Sequence, residues 1–137
     1  MSLSIHIIAS VPTLDVVRRL EAEFGSEKFG PLKAVRLGWS GEWEHGRILV
    51  QSLAANARDE IGRESGIPDP QTLIWLTCDV RDAGFDAACQ LTAGILQKWK
   101  EDIALMPNGD EPALTRVGGK LTLFNERLSQ EQAAYFE

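Results

Sequence analysis

Residues 103–123, with the sequence IALMPNGDEPALTRVGGKLTL, predict a three-strand meander. The pair Asn108-Gly109 favours a tight hairpin because both residues tolerate positive φ, and Gly118-Gly119 marks a second turn. An isolated ribbon of this kind is marginally stable, so we expect partner strands and helices upstream in the chain. The expected strands are Ile103–Pro107, Ala113–Val117 and the segment that begins at Leu121.

The segment directly before the meander predicts a buried strand and a long helix. Thr72–Val80 contains the apolar run at residues 73–76, which is typical of a central strand covered on both faces. From Asp82, which suits a helix N-cap, apolar residues recur at helical spacing as far as Trp99. We therefore expect Trp75 and Trp99 to lie on core faces.

The first half of the chain adds strands and a second principal helix. Leu3, Ile5 and Ile7 alternate with polar residues and predict a half-buried strand. Thr13 is the expected N-cap of a helix that ends at Gly25. The remaining expectations are strands at Lys33–Trp39 and Arg47–Ala54, turns at Ser40-Gly41 and His45-Gly46, and a short exposed helix at Asn56–Ser65. Residues 1–137 thus predict one α+β domain, a mainly antiparallel sheet with two principal helices packed on one face.

Length and charge narrow the class of protein. A chain of 137 residues is typical of one domain, and 44% hydrophobic and 25% charged residues are typical of a globular one. With 14 Lys plus Arg against 20 Asp plus Glu, the net charge of −6 argues against direct nucleic-acid binding. No window approaches the roughly 18 continuous apolar residues of a membrane span. We expect a cytoplasmic protein that contacts no membrane.

Candidate catalytic groups do not combine into a site. Gly38–Glu42 approaches the nucleophile motif G-x-S-x-G, but its last residue stands where the second glycine belongs. His6 and His45 lack metal-ligand spacing, and Cys78 and Cys89 lie in apolar segments typical of buried, reduced thiols. We therefore expect no catalytic residue, no metal and no cofactor, although a small enzyme or ligand carrier remains an alternative.

Tryptophans and carboxylates supply the candidate binding residues. Two tryptophans flank the polar stretch at residues 39–44, a composition typical of interface hot spots, and further carboxylates surround the start of the second principal helix. The alternatives are that the two rings pack back onto the sheet and that the helix carboxylates serve as caps. The predicted partner contacts are Trp39, Glu42, Trp43, Glu44, Asp79, Asp82 and Asp86.

The segment Asp102–Leu123 resembles the swarming-inhibition (Sit-type) immunity proteins of bacteria. The likeness rests on a strand, an Asn-Gly-acidic turn, a Leu-x-Arg strand, Gly-Gly and an apolar final strand, and it extends upstream through the apolar strand and long helix of residues 73–99. The resemblance implies a non-catalytic protein that binds and neutralises a cognate toxin domain. The net charge of −6 favours a basic toxin, for example a nuclease. The alternative is an interaction or structural domain of another partner, including a homodimer formed through a sheet edge.

Overall fold

One antiparallel sheet organises the chain. The computed structural model describes residues 3–24, 29, 31–79, 81–107 and 111–137, with the backbone alone at 81 and 82. Its strands follow the order β2-β3-β4-β5-β1-β6-β7-β8. The elements are β1 Leu3–Ala9, α1 Thr13–Glu23, β2 Lys33–Val35, β3 Gly38–Trp43, β4 Gly46–Ser52, α2 Ala55–Ser65, β5 Thr72–Cys78, α3 Arg81–Lys98, β6 Ile103–Pro107, β7 Leu114–Val117, β8 Lys120–Leu123, a 3-10 turn at Asn125–Arg127 and α4 Gln130–Ala134. The predicted α+β class and the C-terminal meander of β6, β7 and β8 are confirmed.

The N-terminal strand lies at the centre of the sheet. β1 pairs with β5 on one side and with β6 on the other, so that Ile7 stands opposite both Ile74 and Leu105. These three side chains are fully buried. A register slip of one residue would turn every one of them to the opposite face, which makes this pairing strongly specified.

The two principal helices cover one face of the sheet, as predicted. α3 packs on β1, β5 and β6, and α1 packs on β4. α3 approaches closely because Gly84 has no side chain: a Cβ there would lie 2.4 Å from the Cβ of Cys78. Both Cys78 and Cys89 are buried free thiols in this core, as the sequence predicts.

Among the described residues, the opposite face is covered mainly at one end. α2 contributes Ile61 to a small second cluster, in which Ile8, Leu73 and Met106 are buried. Trp75 lies on the same face beyond this cluster and is 36% exposed. The expectation that β5 is covered on both faces is therefore wrong for the part of the strand that carries Trp75.

Several local expectations are corrected by the backbone. Ser40-Gly41 lies inside β3, opposite Leu49 and Ile48, and the turn falls before Gly38 instead. Thr13 is the first residue of α1 and not its N-cap; its hydroxyl bonds to the hydroxyl of Thr72 at 2.9 Å. The turn at Gly118-Gly119 is confirmed by φ values of 58° and 83°. The expected turn at Asn108-Gly109 and helix end at Gly25 lie outside the described residues.

Candidate functional site

The uncovered part of the sheet, which we call the open sheet face, lies opposite α1 and α3. Side chains alternate between the faces of a strand, so the neighbours of the core residues in β1, β3, β4 and β5 point away from the two helices. Cross-strand register brings His6 beside Trp75, and Trp75 beside Leu49. The open sheet face comprises His6, Ser40, Glu42, Arg47, Leu49, Trp75 and Thr77.

An apolar groove of about 380 Å³ runs along this face. We call it the Trp75 groove. It holds three of the five large hydrophobic side chains that are exposed among the described residues: Val35 at 45%, Leu37 at 68% and Trp75 at 36%. Its principal lining residues are Val35, Arg36, Leu37, Arg47, Leu49 and Trp75. Clustered exposure of this kind is typical of an interaction site, whereas single exposed hydrophobic residues are ordinary.

Backbone geometry and a ring contact hold the groove in place. Gly38 has a φ of +150°, and a Cβ there would lie 2.1 Å from the carbonyl oxygen of Val50. Only glycine lets the turn that carries Leu37 lie this close to β4. On the other side, the rings of His6 and Trp75 meet edge to face with their centroids 5.6 Å apart. The groove therefore lies between the turn that precedes Gly38 and the ring of Trp75 on the open sheet face.

Two arginines give the groove a positive rim on an acidic protein. Arg36 and Arg47 are both exposed and line the groove. Within the described part of the chain, neither guanidinium forms an ion pair. Glu42 stands opposite Arg47 in the register of β3 and β4, but its exposed carboxylate forms no ion pair with it. The local charge of the groove is thus opposite in sign to the net charge of −6.

A second depression, of about 470 Å³, lies between α2 and residues 66–70. Its lining mixes Arg58 and Arg63 with Asp59 and Asp69. The Nε of Arg58 is already used, since it donates to the carbonyl oxygen of Leu53 at 3.0 Å. None of the exposed large hydrophobic residues lies there. The Trp75 groove is therefore the stronger candidate.

The two predicted tryptophan contacts belong mainly to the core. Trp43 is 7% exposed, and its indole N–H donates to the carbonyl oxygen of Thr77 at 3.0 Å. Trp39 is half-buried, stands opposite Val50 and packs against the main core. The alternative that the ring packs back onto the sheet therefore holds for Trp43, because the end of the sheet offers that ring both apolar cover and a hydrogen-bond acceptor.

The predicted carboxylates do not form a single cluster among the described residues. Glu44 and Asp79 share one end of the sheet: the Glu44 carboxylate lies 3.9 Å from Nε2 of His45, whose carbonyl accepts from the N–H of Asp79 at 3.0 Å. Asp86 lies on α3 instead and accepts a hydrogen bond from the hydroxyl of Tyr135 at 3.0 Å, which ties α4 to α3. Glu42 is on the open sheet face, and the side chain of Asp82 lies outside the described residues.

The sequence contains only weak signals that Val35, Arg36, Leu37 and Trp75 would form a binding groove. Val35, Arg36 and Leu37 lie in a segment that was expected to be plain strand, although Leu37 directly precedes a glycine, as turn residues often do. Trp75 lies within a continuous apolar run, whose pattern does not reveal which face is left uncovered.

Potential metal ligands do not cluster in the described ranges. No group of three His, Cys, Asp or Glu side chains there is placed to hold a metal ion. No helix within those ranges is long and apolar enough to cross a membrane. Comparison with known proteins finds no matching family model, no matching curated protein and no matching solved structure.

Proposed function

We propose that the chain is a non-catalytic immunity protein that binds a bacterial toxin domain through the open sheet face and so neutralises it. The observation that carries this proposal is the Trp75 groove. Exposed Trp and Arg side chains around one apolar depression are typical of an interface hot spot, and the exposed Leu37 adds apolar area beside them. Trp75 and Arg47 project from paired strands of the sheet, whose backbone is already ordered before binding, so less ordering cost falls on these two side chains.

The nature of the partner rests on the resemblance to the Sit-type immunity proteins. The elements from β5 through α3 to the meander of β6, β7 and β8 occur in the order that the resemblance implies. This agreement supports the choice of a toxin domain over other partners. The matched residues are strand and turn positions, so the binding residues come from the groove.

The groove forms the centre of the proposed interface, and the neighbouring carboxylates form its rim. A stable interface buries about 800 Å² on each partner, so the contact extends beyond the groove over the open sheet face. Glu42 lies on that face, and Glu44 lies at one end of the sheet. The net charge of −6 accelerates association with a basic toxin domain through long-range attraction. Inhibition then follows from steric exclusion of the toxin's substrate.

Co-expression with the toxin domain encoded by the gene directly upstream tests this proposal. We expect bacteria that produce the toxin domain to stop growing, and the same cells to grow when this chain is also produced. The purified pair is expected to associate at micromolar concentration or below. Continued growth arrest together with no association at that concentration would show that the proposal is wrong.

An interaction domain that forms a homodimer is the second candidate. It is favoured by edge strand β2, whose residues Lys33–Val35 are all exposed and pair on one side only. Sedimentation equilibrium distinguishes the two candidates. A tight dimer that does not dissociate on addition of the toxin domain favours the second candidate, and a monomer favours the first.

A further inference from the structure

We propose that the Trp75 groove receives a protein segment in which an apolar side chain is flanked by carboxylates. This inference rests on the proposed function, because it specifies the chemistry of the partner at the same site. It also differs from the expectation of basic contacts: the partner as a whole can be basic, while the segment that enters the groove is acidic.

The apolar part of the segment follows from the floor and size of the groove. Leu49 and Trp75 are cross-strand neighbours and form a continuous apolar surface. A volume of about 380 Å³ is near the lower end of the range for ligand pockets. It suits one or two inserted side chains. An aromatic or branched aliphatic side chain gains most from such a surface because affinity there scales with the apolar area removed from water.

The acidic part follows from Arg36 and Arg47. Both guanidinium groups line the groove, and neither forms an ion pair within the described residues. A guanidinium presents a planar set of donors that binds a carboxylate through two parallel hydrogen bonds. A lysine or arginine in the same place would meet two like charges, so the groove selects against basic segments as well as for acidic ones.

A protein segment explains the surroundings of the groove better than a small amphipathic anion. Leu37 is 68% exposed and Val35 is 45% exposed, so both extend well into solvent. A small anion that fills the groove touches only the inner sides of these two side chains and leaves their outer parts in water. A protein segment that crosses the groove covers them, and adjacent exposed strand residues widen the contact.

Two synthetic peptides test the inference directly. The first is acetyl-Gly-Glu-Leu-Glu-Phe-Glu-Gly amide, and the second replaces each Glu by Lys. Titration of the ¹⁵N-labelled protein follows the indole resonance of Trp75. We expect a saturable shift of that resonance with the glutamate peptide and no saturable shift with the lysine peptide.

Charge-reversal variants test which cations are responsible. Arg36→Glu and Arg47→Glu are each expected to weaken binding of the glutamate peptide about tenfold, since each replaces an attraction by a repulsion at close range. Arg18→Glu is the matched control: it changes the net charge by the same amount, and Arg18 is exposed on α1. We expect it to change binding by less than about twofold. Arg47→Gln supplies a second, milder variant if charge reversal at that position disturbs folding.

Several results would overturn the inference. They are equal binding of the two peptides, no saturable shift at millimolar peptide, or equal weakening by Arg18→Glu and Arg47→Glu. Tighter binding of sodium octanoate than of the glutamate peptide would point to a small anion and would overturn it as well. Its failure is separable from that of the proposed function. A wild-type chain that neutralises the toxin domain but ignores the acidic peptide contradicts this inference alone, whereas peptide binding without neutralisation contradicts the proposed function.

Discussion

Replacement of Arg116 by methionine is expected to destabilise the fold strongly. The guanidinium of Arg116 on β7 donates to three backbone carbonyl oxygens, those of Leu96 at 2.6 Å, Trp99 at 2.6 Å and Glu101 at 2.8 Å. These carbonyls lie in and just after the last turn of α3, where a helix leaves acceptors without intrahelical partners. Arg116 is also partly withdrawn from water: burial lowers its pKa, and its buried Nε has no partner in the described structure.

The expected loss follows from these three bonds. Each contributes about 1 kcal/mol net, and bonds from a charged donor contribute somewhat more. A cation at a helix C-terminus adds up to about 1 kcal/mol through the helix dipole. Partial rehydration of the freed carbonyls offsets some of the loss. We therefore expect Arg116→Met to lower the free energy of unfolding by about 4 kcal/mol, a large fraction of the total for a domain of this size.

Urea denaturation followed by tryptophan fluorescence measures this loss. With an m-value of about 2 kcal/mol/M, the midpoint of Arg116→Met is expected about 2 M below that of the wild type. Arg116→Lys keeps the charge but not the planar set of donors, so its urea midpoint should lie between those of Arg116→Met and the wild type. Arg18→Met, at an exposed position on α1, should stay within about 0.5 kcal/mol of the wild type. An Arg116→Met protein as stable as the Arg18→Met protein would refute the assignment of Arg116 as the group that holds the end of α3.

Three further predictions concern the core and its rim. The hydrogen bond from Arg19 lowers the pKa of Glu101 from 4.5 to about 2, so the stabilisation by this carboxylate is complete above pH 4.5 and is lost as the pH falls towards 2. Both side chains are about one third exposed, so Glu101→Gln should lower the free energy of unfolding by only about 1 kcal/mol near neutral pH and by almost nothing at pH 2. Thermal melts of the variant and the wild type across this pH range measure the difference. Burial raises the pKa of the Cys78 thiol to about 11, and the other cysteine is buried too, so a thiol reagent at neutral pH should label neither until urea unfolds the protein. Gly84→Ala should lower the free energy of unfolding by about 1–3 kcal/mol because the new Cβ overlaps that of Cys78. Gly94→Ala in the same helix meets only the edge of the Phe24 ring, so it should lower that free energy by less. Equal urea midpoints for the two variants would contradict this prediction.

The layout of the fold was largely predictable because its strands and helices carry strong periodic patterns. Leu3, Ile5 and Ile7 alternate with polar residues in the first strand, and the long helix before Trp99 repeats its apolar residues at helical spacing. The turn at Ser40-Gly41 was predicted wrongly because Ser and Gly are common in turns. Here the pairing of β3 with β4 overrides that local preference, and it is Gly38, with a φ of 150°, that adopts the positive-φ conformation next to the turn.

The candidate site was hard to predict because it depends on what the sheet leaves uncovered. The residues around Trp75 have the pattern of a strand buried on both faces, yet the coverage by α2 stops near Leu73. Trp43 lies beside a polar turn, yet its ring is buried, and the carbonyl oxygen of Thr77 in β5, two strands away, accepts its indole N–H. Both outcomes are set by tertiary packing, which a single sequence does not encode locally.

The affinity of the Leu37→Asp protein for its proposed toxin-domain partner tests the central claim most directly. Leu37, at 68% exposure, is the most exposed of the large hydrophobic residues in the Trp75 groove, so its replacement should leave the fold intact. Leu14→Asp is the matched control, since Leu14 is 47% exposed on α1, away from the groove. We predict that Leu37→Asp raises the Kd at least about tenfold and that Leu14→Asp leaves it unchanged. Equal Kd values for Leu37→Asp and the wild type would contradict binding through the open sheet face.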